Sequence, residues 1–224
     1  MGYNWECKDP ERVYAATEGL VYSLRNTKYR DLITQVKVPT QVTGEYKEMK
    51  RDGMTGPALA PVVAQSKASQ LNKMRQLSNG FVYDSPDGEE RVTHQYHTHK
   101  LDATRDLLSE LQGDPILIFY EYQQDRDLYK EKLKLPVFSE ELVKDWNAGK
   151  IPAMLISPWS AGHGLNLQGA GNKVLWLSPP YDLEVHEQAN ARVARGGQSS
   201  SQVVAYYLCG HGTIDHDVLE LLEE

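Results

Sequence analysis

From about Asp114 onward, short apolar runs rich in branched residues alternate with longer amphipathic stretches. "PILIFYEY" (115–122), "AMLIS" (153–157), "NKVLWLSP" (172–179) and "SQVVAYYLC" (201–209) read as strands buried on both faces. Helical periodicity fills the gaps in "YQQDRDLYKEKLK" (122–134), "SEELVKDWNAG" (139–149) and "DLEVHEQANARVARGG" (182–197). "SEEL" opens its helix with a serine cap and early carboxylates, as the helix dipole favours. Another helix, "HKLDATRDLLSELQG", precedes the first of these strands, with Gly113 placed as its stop. This alternation predicts an α/β fold, a parallel sheet with helices on both faces.

Residues 1–94 are less regular. "MTGPALAPVVAQSKASQLNKMRQLSNG" predicts a helix from about Val62 to Leu77, and "DLITQVKVPTQVTGEY" reads as extended segments, Pro39 marking an edge or bend. The first thirty residues carry Trp5, Tyr14, Leu20, Tyr22 and Leu24 with an ambiguous, helix-compatible period. The expected organisation is a helical and extended brace over 1–94, packed on a main domain over 95–224.

Composition narrows the class. The 224 residues are 40% hydrophobic and 25% charged, ordinary for a globular chain. The longest apolar runs, such as "ILIF", fall far short of the roughly 20 residues a membrane helix needs. The opening "MGYNWECKDPER" lacks the apolar stretch of a secretion signal, so a cytoplasmic protein is expected, in the host cell if the source is viral. Cys7 and Cys209 match no metal-ligand spacing, and thiols in a reducing compartment are expected over a disulfide. A net charge of −7 argues against a surface that is one nucleic-acid footprint, so any DNA contact is a local patch.

The candidate chemistry lies in two places. In "QANARVARGGQ" (188–198), Arg192 and Arg195 stand three apart, on one helix face with Gln188, and Gly196 and Gly197 end the helix. Two planar guanidinium forks at a rim suit a polyphosphate, although such a pair alone also fits a solvated helix face. "SAGHGLNLQGA" (160–170) follows a buried strand and offers glycines that let backbone amides approach a phosphate or sugar, with Ser160 and Asn166 adding polar groups. By itself it reads equally as a tight loop. His94, His97 and His99 in "HQYHTH" gain no cysteine or carboxylate nearby, so a solvated strand or loop is expected there and no metal site. "GHGTIDHD" reads as a loop entering a final helix, capped by Thr213 or Asp215. The tryptophans read as packing residues rather than base-stacking ones, with the stacking reading left open only for Trp159, in the turn before the glycines.

Strand, glycine turn, strand, then paired arginines is an order that resembles the second, C-terminal RecA-like lobe of superfamily-two helicases, in particular the Swi/Snf-like DNA translocases. Their motif Q-A-x-G-R-x-x-R-x-G-Q is matched here by Gln188, Ala189, Asn190, Ala191, Arg192, Val193, Ala194, Arg195, Gly196, Gly197 and Gln198. "SPWSAGHGLNL", "ILIFYEY", "KMRQLSNGFVY" and "YYLCGHGTIDHDVLELL" also look like family segments, and the likeness runs from about Leu71 to the end. Ala191 replaces the usual glycine, Trp146 stands where phenylalanine is common, and the family's basic element between strand and glycine turn is reduced to "LPVFSEELVKDWNAG".

The resemblance implies a three-layer RecA-like lobe of the P-loop NTPase type, with the brace leading from the first motor lobe. Arg192 and Arg195 would be arginine fingers, with Gln188 ordering them. Gly164 and Asn166 would lie near the ribose and the cleft, and Ser160, Ala161 and Gly162 would face the DNA backbone. Neither a G-x-x-x-x-G-K-S/T loop nor an acidic D-E-x-x box is present. ATP and Mg2+ would therefore be held mainly by a first lobe in cis or trans, double-stranded DNA would be the substrate, and the isolated chain would be inactive. The competing expectation is a non-catalytic DNA- or protein-binding module derived from such a lobe.

Overall fold

Leu117, Phe119, Met154, Ile156, Val174 and Trp176 are all fully buried, and the strands that carry them form the centre of the structure. The computed structural model describes residues 33–58, 60–85, 90–160, 166–194, 198 and 200–223. The expected helix with Trp5, Tyr14, Leu20, Tyr22 and Leu24 lies outside these residues, as does Cys7.

In chain order the elements are β1 (Ile33–Thr40), α1 (Gly44–Asp52), β2 (Met54–Thr55), β3 (Val62–Val63), α2 (Lys67–Asn79), β4 (Phe81–Asp84), β5 (Val92–Gln95), α3 (His99–Leu111), β6 (Ile116–Phe119), α4 (Gln123–Leu133), α5 (Val143–Asn147), β7 (Ala153–Ile156), β8 (Lys173–Trp176), α6 (Leu183–Asn190), β9 (Val203–Gly210) and α7 (Ile214–Glu223). Among the described residues the main sheet has five parallel strands in the order β1-β9-β8-β6-β7. Alternate residues of each strand serve opposite faces. Leu117, Phe119, Val174 and Trp176 pack with Trp146 of α5 and Ala189 of α6, while Ile116, Ile118 and Leu175 pack with Leu101 and Leu107 of α3 and Tyr129 of α4. Helix, sheet, helix is the RecA-like three-layer arrangement expected from the alternating pattern.

The region before residue 94 is woven into this core. β1 pairs in parallel with β9 from Ile33↔Val203 to Thr40↔Gly210, so it is the sheet's edge strand. Tyr46 and Met49 of α1, Met74 and Leu77 of α2, and Ile214, Val218 and Leu222 of α7 close a third apolar cluster that joins brace to main domain. α1 replaces part of the expected extended run; its apolar contacts are a single pair three residues apart, too short a period to read from sequence. The helix expected from Val62 starts instead at Lys67, because Val62 and Val63 pair with Thr55 and Met54 and Ser66 then caps Ser69 N at 3.1 Å. It runs on to Asn79 and stops at Gly80, where φ is +99° and a Cβ would collide with the His97 carbonyl oxygen. His97, expected to be solvated, turns inward with its ring nitrogen 2.9 Å from Leu77 O.

The polar end of α2 is buried on all sides, because it belongs to a network that uses every polar group it brings in. Lys100, on α3, is 2% exposed, and its three ammonium N–H groups go to Asn79 Oδ1 (2.8 Å), Leu177 O (2.8 Å) and Asp215 Oδ2 (2.9 Å). Asn79 also accepts from Ser178 Oγ at 2.8 Å and donates to Asp125 Oδ2 at 2.7 Å. Asp215 further accepts from Ser78 Oγ and from Gly210 N, the latter at 2.9 Å. Asp215 lies within the final helix and does not cap it; Thr213 stands immediately before the helix, its Oγ1 accepting from Asp215 N at 3.3 Å.

Asp125 is the less compensated acid of the pair. Burial pushes its carboxyl up to about 7, against the opposing pull of the Asn79 hydrogen bond and the Lys100 charge. A carboxyl whose folded-state value is raised binds its proton more tightly in the native state than in the unfolded chain. Its penalty is absent below the unfolded value near 4 and grows as pH rises towards 7. Asp125→Asn keeps an acceptor oxygen for Asn79, so the melting temperature of the variant relative to the parent is expected to rise between pH 4 and pH 8. Thermal melts across that range check this; a difference that is flat or falls with pH contradicts it.

Candidate functional site

A parallel sheet places every strand start at one edge and every strand end at the other, and the candidate residues divide between these edges. At the starting edge, Asn147 Nδ2 donates to Asn166 O (2.9 Å) and Trp146 Nε1 to Leu167 O (2.9 Å), which fixes the exit of the glycine turn beside the approach to β7. Gly171 packs directly against Pro115, the residue before β6. Gln198 donates to Gly171 O at 2.8 Å and to Val193 O at 3.2 Å, bringing the segment after α6 to the same edge. Asn166 and Arg192 therefore share the edge where strands begin. Arg195 and Gly164 lie outside the described residues, as do Ala161 and Gly162.

The expected helix over 182–197 ends early. α6 stops at Asn190, and the chain tightens through Arg192 N→Ala189 O (3.2 Å) and Val193 N→Asn190 O (3.1 Å), the i to i+3 spacing of a narrower turn. Val193 and Ala194 are buried at 0% and 1% exposure while Arg192 between helix and core stays partly exposed. Gln188 is exposed on the helix one turn earlier, donating to Glu184 Oε1 at 2.8 Å.

Four side chains hold α6 on the sheet, and their protonation follows from the donors. Trp176 Nε1 only donates, so the Asn190 atom 3.0 Å away is its oxygen. The Asn190 amide nitrogen then faces His186 Nε2 at 3.2 Å and must donate to it. That ring nitrogen accepts, and the Tyr207 hydroxyl at 2.9 Å donates to it as well. The His186 ring lies tilted against Trp176 at 4.9 Å, and Trp176 stacks at 4.4 Å on Phe119, so the turn carrying Arg192 is referenced to the middle of the sheet.

At the finishing edge, Ser160 is exposed on a turn closed by Ser160 N→Ser157 O (3.0 Å). Beside it lie residues that sequence reasoning passed over. Arg75 of α2 is 6% exposed, donates to Pro179 O at 2.7 Å and lies 4.5 Å from the Tyr181 ring centre. Glu121, just past β6, has its carboxyl near the Trp159 side chain, and its Oε2 is buried without a hydrogen-bond partner. Burial raises the Glu121 carboxyl above the usual carboxylate range, and the Arg75 charge and the Trp159 side chain draw it partly back. An arginine on a polar helix and a glutamate in "FYEY" carry no sequence signal of their own. Only the fold brings them together. Among the described residues no group of three or more His, Cys, Asp or Glu side chains could hold a metal ion, and no helix is long and apolar enough to cross a membrane.

No protein-family model matches the chain. Protein p41 of Acyrthosiphon pisum secondary endosymbiont phage 1 is 28% identical over 195 residues, 84% of this chain and 42% of the relative. The chain thus spans less than half the length of that curated relative. Among solved structures, the C-terminal part of the Fun30 ATPase domain matches at a TM-score of 0.54 and 15% identity, covering 84% of this chain and 88% of that one. The Sulfolobus solfataricus SWI2/SNF2 ATPase core domain matches at 0.55 and 20% identity, covering 96% and 48%, and the same core in complex with dsDNA at 0.53 and 20%, covering 95% and 49%. The fold is that of the C-terminal lobe of these ATPases.

Asn190→Leu removes the acceptor from the buried Trp176 N–H with little change in volume. The expected cost is about 1–3 kcal/mol, the penalty of an orphaned buried donor. Urea unfolding measures it, and an unchanged midpoint would remove this network from the account of how α6 is held.

Proposed function

We propose that this chain is the second motor lobe of an ATP-dependent DNA translocase of the Swi/Snf-like type, working against a first lobe in cis or trans. The observation that carries the reading is the placement of Arg192: a partly exposed arginine on a narrow turn, its next two residues sealed in the core, at the edge it shares with Asn166. A backbone so fixed presents a guanidinium to a facing lobe with little ordering left to do on closure.

In this reading Arg192 and Arg195 reach the terminal phosphates of a nucleotide held by the first lobe. A guanidinium cannot lose its proton at working pH, so it meets charge building on the phosphoryl oxygens without a proton transfer of its own. Gln188 steadies the turn from the preceding helical turn, and Gly164 and Asn166 border the sugar. ATP supplies the transferable phosphoryl group. Magnesium would come with the first lobe, since the sequence has no acidic D-E-x-x box to hold it. Ser160, at the opposite edge, contacts the backbone of double-stranded DNA together with Ala161 and Gly162, and lobe closure and opening move this contact relative to the nucleotide. The same reading makes the isolated chain inactive in hydrolysis and cytoplasmic, in the host cell if the source is viral.

The test is DNA-stimulated phosphate release by the chain assembled with its first lobe. Arg192→Ala, alone and with Arg195→Ala, is expected to lower the rate by about a thousandfold or more. Nucleotide affinity should stay within a few-fold of the parent. Near-normal turnover in the double variant overturns the motor reading and leaves a non-catalytic binding module in its place.

A further inference from the structure

Trp159 and Tyr181 are large side chains left 54% and 50% exposed at the edge where the strands end. The Trp159 side chain lies near the Glu121 carboxyl, just past β6, and opposes the rise that burial imposes on it. Tyr181 rests on the Arg75 guanidinium at 4.5 Å, and Arg75 is itself 6% exposed and tied to Pro179 O at 2.7 Å. The Arg75 charge also draws down the Glu121 carboxyl, which burial raises, so the cation beneath Tyr181 acts on the acid near Trp159. The cation also lies 5.9 Å from the Tyr122 ring, which packs edge-on to Phe81 at 5.5 Å and anchors the assembly to the interior.

We propose that Trp159 and Tyr181 form a stacking platform for the unpaired bases of single-stranded DNA. A Tyr181 face backed by the tethered Arg75 guanidinium loses little conformational freedom when a flat ligand lands on it, and Trp159 offers a second exposed face at the same edge. The groups around them are ionic or hydroxylic, namely Arg75, Glu121, Ser160 and Asp182. Such a setting fits a ligand with aromatic faces and polar edges, a nucleobase, better than an aliphatic protein surface. Arg75 has donated to a carbonyl and lies under Tyr181, so the platform recognises π faces and not phosphates; its binding is tolerant of sequence and only weakly dependent on salt. The inference rests on the motor reading for the choice of DNA as the polymer, and on that alone. It adds that the strand-end edge takes bases out of a duplex, at a junction or a frayed end.

The experiment needs no ATP, which separates its failure from failure of the motor reading. The 224-residue chain is titrated with a labelled oligothymidylate, with an abasic deoxyribose-phosphate oligomer of equal length, and with a blunt duplex, each at low and high salt. Oligothymidylate is expected to quench tryptophan emission and to bind more tightly than the abasic strand. Trp159→Ala and Tyr181→Ala should each weaken oligothymidylate binding by about five- to a hundredfold. Trp159→Phe should recover most of it, and duplex affinity should move less than about twofold in all three variants, bases in a duplex being already stacked. Equal binding of abasic and base-bearing strands by the parent protein, unchanged affinity in Trp159→Ala, or an equal loss on duplex would each overturn the proposal. In the last case the rings serve duplex or protein contacts instead.

Discussion

The ammonium group of Lys100 is the constraint on which the rest of the architecture turns. Burying a cation costs on the order of several kcal/mol unless each of its donors is met and its charge is balanced. Here the three acceptors come from three places: Asn79 at the end of α2, Leu177 O at the exit of β8, and Asp215 at the start of α7. Two of these acceptors are held in turn by further groups, Asn79 by Ser178 and Asp125, and Asp215 by Ser78 and Gly210. Withdrawing any one of these segments leaves a buried charge or a buried polar atom unmet. A helix from the early part of the chain is thereby locked to the sheet by electrostatics as well as by the contact of Met74 and Leu77 with Val218 and Leu222.

That lock bears on the edge where the strands end. Through Leu177 and Ser178 it fixes the β8 exit, which continues into Tyr181 and into α6 with its Asp182 cap on Val185 N at 3.1 Å. Arg75 leaves the same helix end as Asn79 and carries the aromatic rim. The starting edge is positioned separately, by Trp176, Asn190, His186 and Tyr207 beneath α6 and by Trp146 and Asn147 beneath the glycine turn. Arg192 and the exposed aromatic rings thus sit at opposite edges of one sheet.

Most of the α/β layering could be read in advance, since "ILIF", "AMLI" and "KVLW" are short branched runs with no competing period. β1 was visible as extended, but its membership of the sheet depends on pairing with β9, 163 or more residues away in sequence order; nothing local records that. α6 looked longer because Ala191, Val193 and Ala194 all favour or tolerate helix, yet burying Val193 and Ala194 against the sheet demanded a tighter turn. Lys100 was the largest omission. A lysine at the start of a helix reads as a solvated charge, and only the convergence of Asn79, Leu177 and Asp215 makes it a core residue. Arg75 and Glu121 were hidden for the same reason, their partners being supplied by distant segments.

Native-state amide hydrogen exchange on the parent chain and on Lys100→Met reads the locking role of Lys100 residue by residue. The frame described above requires α2 amides to share the protection of β6 and β8 in the parent chain, and to lose that shared protection, ahead of the sheet, once the ammonium is removed. Amides of α2 that already exchange well before the sheet in the parent, or that keep their protection in Lys100→Met, would contradict it.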